Sequence, residues 1–224
     1  METAEKIIEY LRETYHPDSI ITYGSFADGS ANENSDFDAL VIAGREKKHD
    51  ASLVGGTVLD VFVYPPETFR QEYDPEEFLQ VFDGKIILDK NGIAGQLKNR
   101  VLSYIDAIPG KTAEEIRQEL DWCGKMLART LRGDAEGYYR WHWVLSDSLE
   151  IYSDIRGLHY FGPKKALRLM EQSDPQSFRA CSRALGELNR EYLSEWISRL
   201  EYLAATAGTA GRKPNREGRN CENE

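Results

Sequence analysis

The periodicity of apolar residues changes once along this chain, near Asn91, and that change dictates its construction. Before it, short runs rich in β-branched residues read as strands: Ser19–Tyr23, Phe37–Ile42, Thr57–Tyr64 and Lys85–Leu88. Gly29–Ser35 and the Pro65-Pro66 pair lie between them as loops. Helical spacing predicts an N-terminal helix over about Thr3–Thr14 and another over all or part of Pro66–Phe78. After Asn91 the pattern is helical throughout. Ala94–Ile108 stops at Pro109-Gly110, and Thr112 with Glu115 three residues on forms a capping box that opens a helix to about Arg132. Gly133-Asp134 breaks it. The next helix carries Tyr138, Trp141, Leu145, Leu149, Tyr152 and Ile155 on one stripe. A last long helix carries Phe178, Cys181, Leu185, Leu188, Tyr192, Trp196, Leu200 and Leu203. The expectation is an α+β chain: a small mixed-sheet domain over residues 1–108, then an all-helical bundle over 111–207. Periodicity ends at Gly208, so 208–224 reads as a disordered tail.

Composition narrows the setting. No apolar run reaches the roughly 18 residues of a membrane span, and Met1–Tyr10 lacks a signal peptide's apolar stretch. Cys123, Cys181 and Cys221 are odd in number and widely spread, which fits neither a disulfide framework nor a zinc site and points to the reducing cytoplasm. The net charge of −10 disfavours a nucleic-acid partner, and the one concentrated basic segment, Arg212–Arg219, falls in the tail.

The chemistry concentrates in Thr22–Val41. A strand ends at Tyr23, Gly24-Ser25 turns into a helix start, and ten residues later Asp36 and Asp38 open a second strand. Residues two apart on a strand project from one face, so the two carboxylates point the same way. Asp60 stands inside the apolar run Val58–Val63, where a carboxylate is costly unless it is paired or binds a cation. Three acids facing one point call for a counter-charge, and hard oxygen ligands with open positions suit Mg²⁺ shared with substrate phosphates. Glycine at 24 lets the backbone approach a phosphate, and the Ser25 hydroxyl adds a donor.

Gly24-Ser25, the ten-residue spacer, Asp36-x-Asp38 and the strand-borne Asp60 together resemble the nucleotidyltransferase superfamily of DNA polymerase β. The likeness covers about the first hundred residues, including Asp83–Asp89, which is similar to the closing strand of small bacterial members. It implies that a nucleoside triphosphate, ATP or another NTP, lies with its phosphates on Gly24 and Ser25. It also implies that Asp36 and Asp38 hold two Mg²⁺ ions, and that Asp60 ligands the ion nearest the attacking hydroxyl.

The helical half would then decide the acceptor. Glu119–Lys125 is similar to a run in the C-terminal helices of kanamycin-type adenylyltransferases, and the likeness makes Asp121 the base and Lys125 a triphosphate contact. Asp121 stands where the relatives have Glu, and Asp60 is the next candidate for the base. Asp121 and Lys125, four apart, also read as an exposed helical ion pair. In Tyr138–Trp143, Trp141 belongs to the buried stripe, while Tyr139, Arg140, His142 and Trp143 lie on other faces and suit an acceptor pocket or a subunit contact. Pro163 starts a further helix. The expected activity is transfer of a nucleotide, AMP from ATP, to a hydroxyl of a small molecule of the aminoglycoside or lincosamide type. The rivals are modification of a partner protein and a nucleotide-binding module without catalysis. Kanamycin-type relatives pair as homodimers, and the acidic excess favours a cationic acceptor.

Overall fold

Ser19–Tyr23 forms strand β1, an unbroken run buried along its whole length, and a sheet grows on either side of it. The computed structural model describes residues 3–207 and divides the chain into two units, Met1–Ala107 and Ile108–Glu224. In the first, β2 (Phe37–Ile42) pairs antiparallel with β1 and parallel with β5 (Thr57–Tyr64). β3 (Lys48–Asp50) and the short β4 (Leu53–Val54) fold back antiparallel on β5, and β6 (Lys85–Asp89) closes the other edge against β1. The order is β3-β5-β2-β1-β6, a mixed sheet as expected.

Alternation in β2 and β5 sorts their side chains between two faces. Phe37, Ala39, Val41, Leu59, Val61 and Val63 pack with Ile7 and Leu11 of helix α1 (Thr3–Tyr15). Asp50 ties this helix to β3 by accepting the Tyr15 hydroxyl at 2.8 Å and the Tyr10 hydroxyl at 3.2 Å. β1 runs into the single-turn α2 (Gly24–Asp28). The helix expected over all or part of Pro66–Phe78 is α3 (Pro66–Arg70), and a separate 3-10 segment follows over Pro75–Val81. Pro75 has no N–H to continue a helix, and Asp74 caps the second piece by accepting Glu76 N–H at 2.9 Å. The break lets Tyr64, Phe69, Tyr73 and Phe78 cluster, with ring centroids 5.2–5.9 Å apart. Asp89 then caps α4 (Ile93–Ala107), accepting Ala94 N–H at 3.2 Å and Gly95 N–H at 3.0 Å.

The second unit is helical. Its α5 (Ala113–Arg129) carries the expected capping box: Thr112 Oγ1 accepts Glu115 N–H at 3.2 Å and Glu115 Oε2 accepts Thr112 N–H at 2.7 Å. A 3-10 turn and Gly133, at φ +65°, end it where the sequence placed the break. α6 (Ala135–Ile155) buries Trp141, Leu145, Leu149, Tyr152 and Ile155 of the expected stripe, but Tyr138, one turn from its start, is half exposed. α7 (Pro163–Ser173) begins at Pro163. The single long last helix is corrected to α8 (Pro175–Gly186) and α9 (Arg190–Ala207). Gly186 weakens helix continuation, and the Asn189 side chain accepts Glu191 N–H at 2.9 Å to start a new helix. Leu185 and Leu188, counted as core from spacing, are exposed at this corner. Trp196, fully buried, donates its indole N–H to Ser148 Oγ at 2.8 Å. Among the described residues no helix is long and apolar enough to cross a membrane. Cys123 and Cys181 are buried free thiols; Cys221 and the expected tail lie outside the described residues.

Asp174, at the joint between α7 and α8, holds this unit together electrostatically. It accepts the Ser177 hydroxyl at 2.6 Å and Ser177 N–H at 3.1 Å, and pairs with Arg199 at 3.3 Å. Burial pushes its carboxyl up, but the Ser177 hydrogen bonds and the Arg199 charge override this, leaving it below the usual carboxylate range. A group with a depressed folded pKa stabilises above its unfolded pKa and loses that contribution as pH falls through the folded value. Asp174→Asn is therefore expected to cost about 1–3 kcal/mol at neutral pH. The gap to the wild type should narrow below about pH 4, as read by denaturant titration across the acid range.

Candidate active site

Register places the acids of the first unit. β1 pairs Tyr23 with Asp38 across the antiparallel ladder, and β2 pairs Asp38 with Asp60 across the parallel one. Register partners project from the same face, so Tyr23, Asp38 and Asp60 share one side of the sheet, opposite the α1 core. Leu59 and Val61, flanking Asp60, point into that core, so the acid inside an apolar strand is explained by alternation. Asp36 is exposed and precedes β2 by one residue. The Asp36-x-Asp38 pair thus straddles the start of β2, with Asp38 in its register and Asp36 just before it.

Gly24 closes the site from the β1 end. Its φ of +67° is in the left-handed region, and a Cβ there would lie 2.2 Å from Asp38 Oδ2 and 3.0 Å from Asp38 Cγ. Only a bare backbone permits the turn and the carboxylate to come this close. Ser25 follows in α2, buried, its carbonyl accepting N–H groups of Ser30 and Ala31 at 3.0 and 3.1 Å. These bonds hold the 24–31 loop in shape.

Two residues not anticipated from sequence complete the face. His49, on edge strand β3, places Nε2 2.7 Å from Asp60 Oδ1, and its ring stacks on Phe62 at 4.6 Å. Its approach to Asp60 depends on the β3-β4-β5 fold-back. The readable signal was Gly55-Gly56, both at positive φ, making a two-residue turn between Val54 and Thr57. Tyr23 is the other. Its phenol is pushed above the ordinary tyrosine range by burial first, then by the charges of Asp38 and Asp60. It stays protonated at neutral pH and shares its face of the sheet with the two carboxylates.

His49→Ala is expected to leave the fold intact and lower turnover about 10–100-fold, by freeing the Asp60 carboxylate to rotate. His49→Gln, which restores a donor, should recover part of the loss. Circular dichroism and steady-state rates on both variants check this.

Among the described residues, no three His, Cys, Asp or Glu stand close enough together to hold a metal ion. The residues present fit a divalent cation in another way. Asp38 and Asp60 supply hard oxygens from adjacent strands about 5 Å apart, and Mg²⁺ characteristically takes one or two carboxylates and fills its shell with water and substrate phosphates. The donor set suits an ion that arrives with a nucleotide. In the second unit, Asp121 and Lys125 are both exposed on α5, and neither lines the cavity described below.

Residues 4–95 match the family described as nucleotidyltransferase domain. The matched span contains Gly24, Ser25, Asp36, Asp38 and Asp60 and supports nucleotide transfer as the activity of the first unit; α5, where the kanamycin-type likeness lies, falls outside it. No curated protein matches the chain. Among solved structures, one of a toxin–antitoxin with AMP-PNP is 19% identical, with 46% of this chain and 86% of that one covered, at a TM-score of 0.32. A nucleotidyltransferase-like protein from Exiguobacterium sibiricum 255-15 is 16% identical, with 91% and 73% covered, at a TM-score of 0.37.

Proposed function

We propose that this chain transfers AMP from ATP to a hydroxyl of a small molecule, releasing pyrophosphate. The observation that carries the reading is the contact of the Gly24 turn with Asp38, itself in register with Asp60, inside the stretch that matches a nucleotidyltransferase domain. Gly24 and Ser25 receive the triphosphate on a turn whose bare backbone lies against Asp38. Asp38 and Asp60, with Asp36 from the same run, would hold the Mg²⁺ ions, which when bound would stabilise charge on the attacking and leaving oxygens. His49 keeps the Asp60 carboxylate oriented. The acceptor oxygen bonds to the α-phosphorus, the bond to the bridging oxygen of the β-phosphate breaks, and pyrophosphate leaves with that electron pair. The hydroxyl proton passes to a carboxylate, Asp121 by the kanamycin-type likeness or else Asp60, and Lys125 meets the triphosphate. The buried free thiols Cys123 and Cys181 suit the reducing cytoplasm, where ATP is supplied.

The test is pyrophosphate release from ATP and Mg²⁺ across a panel of aminoglycosides and lincosamides, with an Asp36→Ala/Asp38→Ala control. Release that depends on one compound and vanishes in the control is expected. Label from ATP appearing on a protein would move the acceptor to a polypeptide, and ATP binding without turnover on any acceptor would overturn catalysis. Asp121→Asn should lower kcat far more than nucleotide affinity; normal turnover would transfer the base to Asp60.

A further inference from the structure

We propose that the cavity between α5 and α6 is a binding site for a small organic polycation, its amino groups on carboxylates and its carbon skeleton on tryptophan. The cavity measures about 550 Å³, within the roughly 300–1,000 Å³ of small-molecule sites. Its walls include Lys111, Glu119, Trp122, Trp143, Asp147 and Glu150.

Charge in this cavity is unbalanced. The single ammonium, Lys111, is already shared: it lies 2.6 Å from Glu119 Oε1, 2.9 Å from Asp154 Oδ2 and 3.6 Å from Glu150 Oε1. Glu119 Oε2 is buried with no hydrogen-bond partner. Asp147 forms no hydrogen bond or ion pair with any described residue. Burial and the charges of Glu150 and Glu119 push its carboxyl up in spite of Lys111. Such carboxylates are stabilised by added positive charge in the cavity.

The form of that charge follows from the spacing. No three acids of the described chain are arranged to hold one metal ion, so a bare metal cation cannot satisfy Asp147, Glu150 and the unpartnered Glu119 Oε2 together. Positive groups spread along a carbon skeleton can. The skeleton has its own surface: Trp122 and Trp143 meet edge to face with centroids 4.9 Å apart, and Trp143 is 38% exposed. Indole faces attract ammonium groups and the methylenes beside them. An acidic, aromatic cavity of this size selects a compact amine with two or more charges over a neutral molecule or an anion. This site stands independently of the nucleotide chemistry assigned to the first unit.

Spermidine is the probe. Calorimetric titration of the full chain is expected to show one saturable site, with no heat of binding for a glycol of equal length. Asp147→Asn/Glu150→Gln should weaken it about tenfold or more, and Trp143→Ala, which removes no charge, should also weaken it. Glu9→Gln/Glu13→Gln, the same charge change on the exposed side of α1, should leave it unchanged. Circular dichroism checks that each variant is folded. Absence of saturable binding, equal weakening by the α1 pair, or indifference to both cavity variants would each overturn the proposal.

Discussion

Replacing Gly24 with alanine should nearly abolish nucleotide transfer while leaving most of the chain folded. Two costs coincide at this position. An L side chain at φ +67° is strained by about 1–2 kcal/mol. The new methyl would also meet the Asp38 carboxylate at 2.2 Å, so the turn or the carboxylate must give way. A displacement of about 1 Å in catalytic geometry costs on the order of 100-fold in rate, which sets the expected loss at 100-fold or more. Gly29→Ala separates strain from contact. Gly29 has φ +79°, but nothing lies within 4 Å of the site of its Cβ. That variant should lose comparable stability and keep its rate. If both glycine variants lost activity equally, strain in the loop would be the cause and the contact with Asp38 would be irrelevant.

The second large effect is expected for Asp38→Asn. The amide preserves shape and the strand pairings to Tyr23 and Asp60, and removes one negative charge from the shared face. Loss of a carboxylate that holds a catalytic cation removes several kcal/mol of transition-state stabilisation, on the order of 10³-fold in kcat. Tyr23 supplies an internal gauge, because the Asp38 charge helps hold its phenol above the ordinary range. In the variant its ultraviolet titration should move downward even without nucleotide.

Much of both units was legible because the signals are local. Ser19–Tyr23, Phe37–Ile42 and Thr57–Tyr64 emerged as strands from β-branched runs bounded by turn residues, and Thr112 with Glu115 gave its capping box from spacing alone. What escaped depends on contacts made across the fold. His49 lies in an unremarkable charged stretch and acquires a role only when β3 returns along β5. Leu185 and Leu188 satisfy helical spacing, yet Gly186 and the Asn189 cap turn the chain there, and periodicity is blind to a corner that keeps its phase on both sides. The cavity was invisible for the same reason. Trp122 was unmarked beside the Asp121–Lys125 pair, and Trp143 acquires its meaning from the α5 carboxylates it faces. Aspartates 38 and 60, by contrast, could be nominated from their residue type and place in a strand, and register then showed that they share a face.

The Gly24–Asp38–Asp60 face is expected to move a nucleotide, rather than a single phosphate, between molecules. The direct measurement uses ATP labelled separately at its α- and γ-phosphorus, in turnover with the acceptor found in the screen. The α-label is expected on the acceptor and the γ-label in pyrophosphate, in equal amounts, with both signals lost in Asp38→Asn. The γ-label on the acceptor, or released as inorganic phosphate while the α-label stays in ADP, would contradict it.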